Sequence, residues 1–319
     1  MFNHFRLMKY TLHLRARDPI GLPSYPGATF RGAFGSTFRR ICCSTREKDC
    51  AACLLKAHCP YAYVFETSPP PDSEVLRRLR EVPRPFVIEP DPSRQRKYAP
   101  GQALDVGLVL VGKAIDLLPY FIVTFRKVGN IGIGMGRGKY ALERIEAVRA
   151  PGGTELVYTH EDQMVRMVDG NLGWEEAAQR ASTLPPDRIT VRFLTPARLK
   201  SGGRLDAELR FEVFFQRLLE RLSSLSYFHC GKALKVDFKG MIERARAVGT
   251  VRGDLRWVDW ERYSRRQRAT MKLGGVIGAI TYAGGLGEFL PFLVLGEYVH
   301  VGKGATFGLG RYLLSDGEG

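Results

Sequence analysis

The stretch Gly136-Arg-Gly-Lys-Tyr-Ala-Leu142 returns near the end of the chain as Gly308-Leu-Gly-Arg-Tyr-Leu-Leu314. Aligning Tyr140 with Tyr312 gives an offset of just over half of the 319 residues. Self-similarity at a long, fixed offset is the sequence signature of a repeated structural unit. The sequence therefore predicts two similar domains in tandem, each ending in a glycine loop that runs into a strand.

The elements that precede the first loop follow from hydrophobic periodicity. Residues Phe5–Leu14 alternate between apolar and polar, which predicts a first strand. Ala28–Arg40 has phenylalanines four apart, at positions 30, 34 and 38, and this spacing predicts a helix with one aromatic face in the core. The segment 67–101 is dense in proline, which excludes a long helix or a central strand through most of it. We predict a surface connection there, with one short helix at Ser73–Arg80.

The second half repeats this order with a strand at Arg188–Leu194 and an amphipathic helix at Leu209–Leu225. Thr183-Leu-Pro-Pro-Asp187 interrupts both patterns and is the predicted domain boundary. The fold class is therefore α+β, with residues 1–182 as the first domain and 183–319 as the second. The first domain carries a cysteine-rich insertion at residues 42–63.

Charge indicates the class of partner. Lys and Arg number 48 against 33 for Asp and Glu, so the formal net charge is +15. Both a nucleic acid and an anionic membrane surface attract such an excess. The segment 257–272 interleaves arginines with tryptophan and tyrosine and lacks the wide apolar face of a membrane-surface helix, so it favours RNA. Its predicted RNA-binding residues are Arg262, Arg265 and Arg266.

Location follows from two negative signals. The first residues contain Arg6 and Lys9 and do not develop the apolar run of about seven residues or more that a secretory signal needs. Six cysteines are too few for a disulfide-stapled secreted scaffold. We expect a cytoplasmic protein without a membrane partner.

The glycine loops do not match the two common nucleotide-binding motifs. A dinucleotide fingerprint needs glycine at the sixth position, where the chain has Phe307 in one loop and Lys139 in the other. A phosphate loop needs Ser or Thr after its lysine, but Gly304 follows Lys303. Missing side chains instead leave backbone N–H groups open to a phosphodiester, although tight turns alone would also explain them. The candidate RNA contacts are Gly302, Gly304, Gly308, Gly310 and Arg311.

Cysteines are concentrated in the insertion. Cys43, Cys50, Cys53 and Cys59 could hold one tetrahedral metal, with Cys42 and His58 as substitutes. Structural zinc is the first expectation, and an iron–sulfur cluster could use the same thiolates. Reduced, buried cysteines without a metal are the alternative.

Histidine is the usual group for moving protons near neutral pH, and the chain has six. His300 lies beside Lys303 in the loop proposed to hold a phosphate, which is where a general acid or base for RNA cleavage would be needed. His229 is the second candidate.

These motifs resemble the CRISPR-associated repeat-RNA endoribonucleases of the RAMP superfamily, which process precursor CRISPR RNA. The resemblance rests on the stretches Gly27–Gly35, Cys59–Tyr63, Trp257–Gln267 and His300–Tyr312, and so spans nearly the whole chain. It implies two tandem ferredoxin-like βαββαβ domains of the RRM and RAMP type, and a C-terminal glycine-rich loop at residues 300–312 that contacts RNA.

The resemblance also implies metal-independent cleavage within the repeat, by attack of a 2′-OH on the adjacent phosphate. His300 would be the general acid or base, with Lys303 and Arg311 stabilising phosphate charge. Relatives often carry a catalytic histidine on the first helix, where this chain has none. Either His300 replaces it, or Tyr25 and Arg31 do the work, or the protein binds RNA without cutting it, as a subunit of a CRISPR effector complex. The basic residues of the first helix expected to contact RNA are Arg31, Arg39 and Arg40.

Overall fold

The structure is a computed structural model and divides into two compact units. The N-terminal unit comprises residues 4–172 and 224–232, and the C-terminal unit comprises residues 1–3, 173–223 and 233–319. The described residues are 2–47, 49–69, 82–91, 95–150, 152–168, 170, 172–201, 204–205, 208–259, 261–264, 269–272 and 274–316.

The division between the units comes about ten residues before the predicted boundary at 182/183. Helix α4 (Trp174–Ala181) belongs to the C-terminal unit because it packs against helix α7 (Leu290–Val299) of that unit. Trp174 contributes directly, with its ring edge-to-face on Phe292 at 5.0 Å between centroids.

The N-terminal unit is an antiparallel sheet with helices. Its elements in chain order are β1 (Arg6–Ala16), β2 (Ile20–Gly21), α1 (Gly27–Cys42), a 3-10 turn (Lys56–His58), α2 (Pro60–Phe65), β3 (Phe86–Pro90), β4 (Lys97–Tyr98), β5 (Ala103–Val111), a 3-10 helix (Gly112–Leu117), α3 (Leu118–Ile131), β6 (Tyr140–Val148), β7 (Thr154–Thr159) and β8 (Leu172–Gly173). The main sheet has the order β3-β5-β1-β6-β7.

The core of this unit lies between the sheet and α1. Phe30, Phe34 and Phe38 are buried, as their spacing predicted, and the rings of Phe34 and Phe121 stack at 4.8 Å. Strand β3 lies at the edge of the sheet and ends at Pro90, and proline is tolerated at such an edge position. The predicted helix at Ser73–Arg80 lies outside the described residues.

The C-terminal unit repeats the pattern. After α4, its elements are β9 (Arg188–Ala197), β10 (Lys200–Ser201), β11 (Arg204–Leu205), α5 (Phe211–Cys230, whose last turns belong to the N-terminal unit), α6 (Phe238–Ala245), β12 (Gly249–Val258), β13 (Glu261–Ser264), β14 (Ala269–Lys272), β15 (Gly275–Ala283), α7, a 3-10 turn (Ala305–Phe307) and β16 (Tyr312–Ser315). Its main sheet has the order β12-β15-β9-β16.

Both units therefore share one arrangement of elements, βαββαβ. Numbering the four main strands of each unit along the chain gives the order 2-3-1-4 in both sheets, with every neighbouring pair antiparallel. In each unit the fourth of these main strands pairs with the first, β6 with β1 and β16 with β9. Among the described residues, no helix is long and apolar enough to cross a membrane.

Candidate functional site

The C-terminal glycine loop connects the end of α7 to β16. Its backbone has positive φ angles at Gly302 (82°), Gly304 (83°), Gly308 (79°) and Gly310 (67°). The outer edge is open to solvent at Lys303 and half-buried at Gly302 and Gly304. This edge is where a phosphodiester could approach the backbone closely.

The loop is held against the backbone that follows β9. A Cβ on Gly302 would lie 2.7 Å from the carbonyl oxygen of Arg198, so this position has no room for a side chain. The amide of Lys303 donates to that same oxygen (3.1 Å), and the amide of Gly310 donates to the carbonyl of Pro196 (3.0 Å). These hydrogen bonds therefore hold the exposed edge of the loop in one position.

Gly308 and Gly310 do not fit the predicted RNA contact. Both are buried, and their amides donate to the carbonyls of Ala305 (2.8 Å) and Pro196. Since those N–H groups already have acceptors inside the unit, they are not available to a phosphate. Gly302 and Gly304 remain the accessible glycines of the loop.

His300 is placed differently from the expectation that it meets RNA directly. Its side chain is fully buried, and its Nδ1 donates to the carbonyl of Leu309 at 3.1 Å. It also has a φ of 62°, as the residue that ends α7. A general acid or base must reach the proton that it transfers, so this buried position fits a role in holding the loop and not in the chemistry.

His229 is also enclosed. It has no exposed surface and lies between the Tyr63 hydroxyl (3.1 Å from Nδ1) and the Pro83 carbonyl (2.7 Å from Nε2). The carbonyl accepts, so Nε2 carries the proton and Nδ1 accepts from the phenol. These contacts stabilise the N-terminal unit and correct the expectation that His229 acts in catalysis.

Arg311 is half-buried, and its backbone N–H donates to the Thr195 hydroxyl oxygen at 2.9 Å. That hydroxyl donates in turn to the Gly308 carbonyl at 2.7 Å. Thr195 is not among the predicted site residues, yet its hydroxyl contacts both ends of the loop's second half. Of the predicted catalytic and phosphate-binding residues in this unit, Lys303 is the one with an exposed side chain among the described residues.

The basic residues of α1 lie over aromatic rings. The Arg31 guanidinium is 4.9 Å from the centre of the Phe65 ring, and Arg39 is 5.5 Å from that of Tyr61. Arg40 is exposed. Stacking of this kind fixes a guanidinium plane while leaving its edges able to bind phosphate.

Three further predictions concern single side chains. Tyr25 is half-buried in the segment just before α1. Arg262 lies in strand β13, and the arrangement of its side chain is outside the described part of the structure, as are Arg265 and Arg266 entirely. Trp257, in β12, exposes 41% of its surface.

The cysteines of the insertion come together. Cys42, Cys43, Cys50, Cys53 and Cys59 line one cavity of about 320 Å³, together with His58. All are free thiols, and burial raises the pKa of Cys42 to about 12, with further contributions from Cys59 and Cys43. Within the described ranges, however, no three His, Cys, Asp or Glu side chains are grouped as metal ligands. The thiol and imidazole donors are of the types that zinc prefers, but their arrangement does not form a metal site. A bound zinc ion or iron–sulfur cluster therefore stays a prediction.

Elemental analysis of the purified chain tests this prediction. If the thiolates close around an ion, we expect about one zinc or iron atom per chain in wild type, and Cys53→Ser should abolish it because a tetrahedral site needs four ligands. Cys230→Ser is the matched control, since Cys230 lies in α5 away from the cavity. A correctly folded wild-type protein without metal would refute the prediction.

Comparison with known proteins places the chain in a family. A model described as the AF_1859_N N-terminal domain matches residues 5–169, and a model of the CRISPR-associated endoribonuclease Cas6 matches residues 191–312. The first covers more than half of the chain, so the chain belongs to the family that this domain defines.

Relatives of known sequence or structure agree with that placement. An uncharacterized protein of Archaeoglobus fulgidus is 26% identical over 296 residues, which is 91% of this chain and 92% of the relative. A Cas6 product complex has a TM-score of 0.59 at 18% identity and covers 97% of this chain and 99% of that chain. Thermus thermophilus Cas6 has a TM-score of 0.54 at 15% identity and covers 98% and 99%. At such identities these structures show the fold.

The fold and the family models thus relate the chain to CRISPR-associated proteins, through a membership in the AF_1859_N family and a match of its C-terminal part to the Cas6 model. Residues 191–312 are similar to Cas6 in sequence, and the solved Cas6 structures share the fold of the whole chain.

Proposed function

We propose that the protein binds CRISPR repeat RNA and cleaves the precursor within the repeat, without a catalytic metal ion. The observation that carries the proposal is the open edge of the C-terminal glycine loop in a chain that matches the Cas6 model. This edge offers Lys303 and the backbone at Gly302 and Gly304 to one strand of RNA. A net charge of +15 favours the encounter with a polyanion.

In the proposed reaction, the 2′-oxygen of one nucleotide attacks the adjacent phosphorus. A bond forms between phosphorus and this 2′-oxygen while the bond to the 5′-oxygen of the next nucleotide breaks. The proton of the 2′-OH goes to a base, and another proton goes to the leaving oxygen. The products are a 2′,3′-cyclic phosphate and a 5′-OH, and no redox change occurs.

Two residues of the predicted catalytic set have accessible side chains. Lys303 would stabilise the extra negative charge of the phosphorane by its ammonium group. Tyr25, half-buried ahead of α1, would supply or accept a proton through its phenol. Arg311 of the C-terminal unit, and Arg31, Arg39 and Arg40 of the N-terminal unit, would each contact phosphates of the bound RNA.

Incubating the protein with a CRISPR repeat RNA from the same genome, in the presence of EDTA, tests the proposal. We expect a single cut and a fragment whose end resists phosphatase until acid opens the cyclic phosphate. Lys303→Ala should lower the single-turnover rate about tenfold because one charge that stabilises the transition state is removed. Lys239→Ala, another exposed lysine of the same unit, should leave the rate unchanged.

A second candidate function is a non-catalytic subunit that holds guide RNA in an effector complex. Two of the similar structures are Cas6-RT-Cas1–Cas2 complexes, and this chain covers 46% and 29% of those chains. The same EDTA incubation separates the candidates, since intact RNA that migrates with the protein supports the binder and a cyclic-phosphate product supports the enzyme.

A further inference from the structure

The two glycine loops occupy equivalent positions in the two units. In the C-terminal unit the amide of Lys303 donates to the carbonyl of Arg198, just after the first strand. In the N-terminal unit the amide of Met135 donates to the carbonyl of Gly21 at 2.9 Å, in the short strand β2 that follows the first strand. The preceding glycines match as well, because a Cβ on Gly134 would lie 2.1 Å from that oxygen of Gly21.

The second anchor is repeated with different chemistry. The amide of Arg311 donates to the Thr195 hydroxyl, and the amide of Lys139 donates to an Asp18 carboxylate oxygen at 3.2 Å. In return, the amides of Thr195 (3.4 Å) and Asp18 (3.2 Å) donate to the carbonyls of Arg311 and Lys139 respectively. The two loops therefore share the same pattern of anchoring hydrogen bonds.

The last anchor is a buried tyrosine. Tyr140 donates its hydroxyl to the carbonyl of Phe125 in α3 (2.9 Å), and Tyr312 donates to the carbonyl of Leu293 in α7 (2.7 Å). Each tyrosine thus ties its loop to the helix that precedes it. A loop held at three points presents its outer edge in a fixed shape, which lowers the entropy cost of binding a ligand.

The outer edge of the N-terminal loop is more open and more basic than that of the C-terminal loop. Arg137 and Lys139 are exposed, and Met135 between the glycines exposes 85% of its surface. Gly134 (70°), Gly136 (79°) and Arg137 (53°) have positive φ angles, and φ of Met135 is not positive. The amides of Met135 and Arg137 already donate to the carbonyls of Gly21 (2.9 Å) and Gly134 (3.4 Å), so this edge offers a ligand its cationic side chains and not these N–H groups. Arginine rarely adopts a positive φ, so the strained backbone of Arg137 indicates a functional role for this residue in the loop.

Two more cations adjoin this edge. Gly21 pairs with Met135 on one side and with Lys97 of β4 on the other, so the exposed Lys97 lies next to the loop. Arg17 is exposed immediately before the Asp18 anchor. Among the described residues, these two and the loop's Arg137 and Lys139 form no ion pair, whereas nearby Arg15 is paired with Glu143. Asp18, the acid beside the loop, already accepts a backbone N–H.

We infer that the loop Gly132–Lys139, with Arg17 and Lys97, is a second binding site for the phosphodiester backbone of RNA. The inference rests on the proposed function, since it extends the RNA contact from the C-terminal unit to the N-terminal unit. The site is an open edge with four spread cations and so suits a continuous chain of phosphates more than a single anion. Contacts of these cations to phosphate oxygens would fix the position of the RNA without reading its bases.

The double variant Arg137→Ala/Lys139→Ala of the full chain tests the site by fluorescence anisotropy with labelled repeat RNA. We expect the dissociation constant to rise about tenfold at moderate salt, and the slope of log K against log salt to fall by about two, one for each phosphate that the variant no longer neutralises. The matched control is Lys113→Ala/Lys127→Ala, which removes the same charge from exposed positions elsewhere in the unit. Equal affinity and slope in both double variants would overturn the inference while leaving the proposed function in place. No binding by wild type would overturn both.

Lysine footprinting gives a second measurement without any substitution. Bound repeat RNA should protect Lys97 and Lys139 of the wild-type chain from acetylation, and should leave Lys113 and Lys127 as reactive as before. Acetylation of Lys97 and Lys139 that is unaffected by bound RNA would contradict the inference. Equal protection by inorganic phosphate would assign the loop to a free anion, and equal protection by polyaspartate would assign it to an acidic protein; either outcome overturns an RNA site.

Discussion

Arg180→Ala is expected to lower the free energy of unfolding of the C-terminal unit by about 3 kcal/mol. Its partner Glu297 has a side chain only 4% exposed and is the one charged residue of the otherwise apolar helix α7. Both nitrogens at the tip of the guanidinium donate to this carboxylate, and the amide of Leu314 donates to it at 2.8 Å. Without Arg180 the buried carboxylate loses its cationic partner and both guanidinium hydrogen bonds, and its desolvation is no longer compensated by an opposite charge.

Denaturant titration followed by tryptophan fluorescence measures this effect, because all three tryptophans lie in the C-terminal unit. The control is Arg210→Ala in the same unit, whose pair with Glu212 leaves the arginine 56% exposed and should contribute less than about 1 kcal/mol. A destabilisation no larger than in Arg210→Ala would contradict this account.

The sequence predicts the repeated fold because periodicity and glycine spacing are local properties of the chain. Phenylalanines four apart had to share a helix face, and the alignment of Tyr140 with Tyr312 marks two tyrosines that make the same hydrogen bond in the two units. The loop anchors were missed because they join residues far apart in the chain. A weak signal existed in two dipeptides, because Asp-Pro at 18–19 follows β1 and Thr-Pro at 195–196 lies at the end of β9. Asp18 and Thr195 each supply the side-chain oxygen that accepts from the residue before the tyrosine.

The candidate site was predicted less well, for a physical reason. Glycine neighbours made His300 look accessible, but Val299 and Val301 flank it and all three are buried. His229 lies seven residues after the buried Leu222 on α5, which at 3.6 residues per turn places both on one face. Burial of a histidine is decided by such apolar neighbours, and they are a stronger guide than proximity to a glycine loop.

His300→Ala should therefore act on the loop and on stability more than on the chemistry. Removing the imidazole leaves a cavity and deprives the Leu309 carbonyl of its donor, and together these should lower the free energy of unfolding by about 2 kcal/mol. His300→Asn should be less destabilising, because asparagine adopts a positive φ readily and its amide can donate.

At saturating repeat RNA, cleavage by the alanine variant should stay within about tenfold of wild type, whereas removing a proton-transfer group costs about 10² to 10⁴. His160→Ala, at an exposed position, controls for the removal of an imidazole. If cleavage falls by about 10² or more while the unfolding curve is unchanged, His300 belongs to the chemistry and must reach the RNA from a conformation in which the loop has opened.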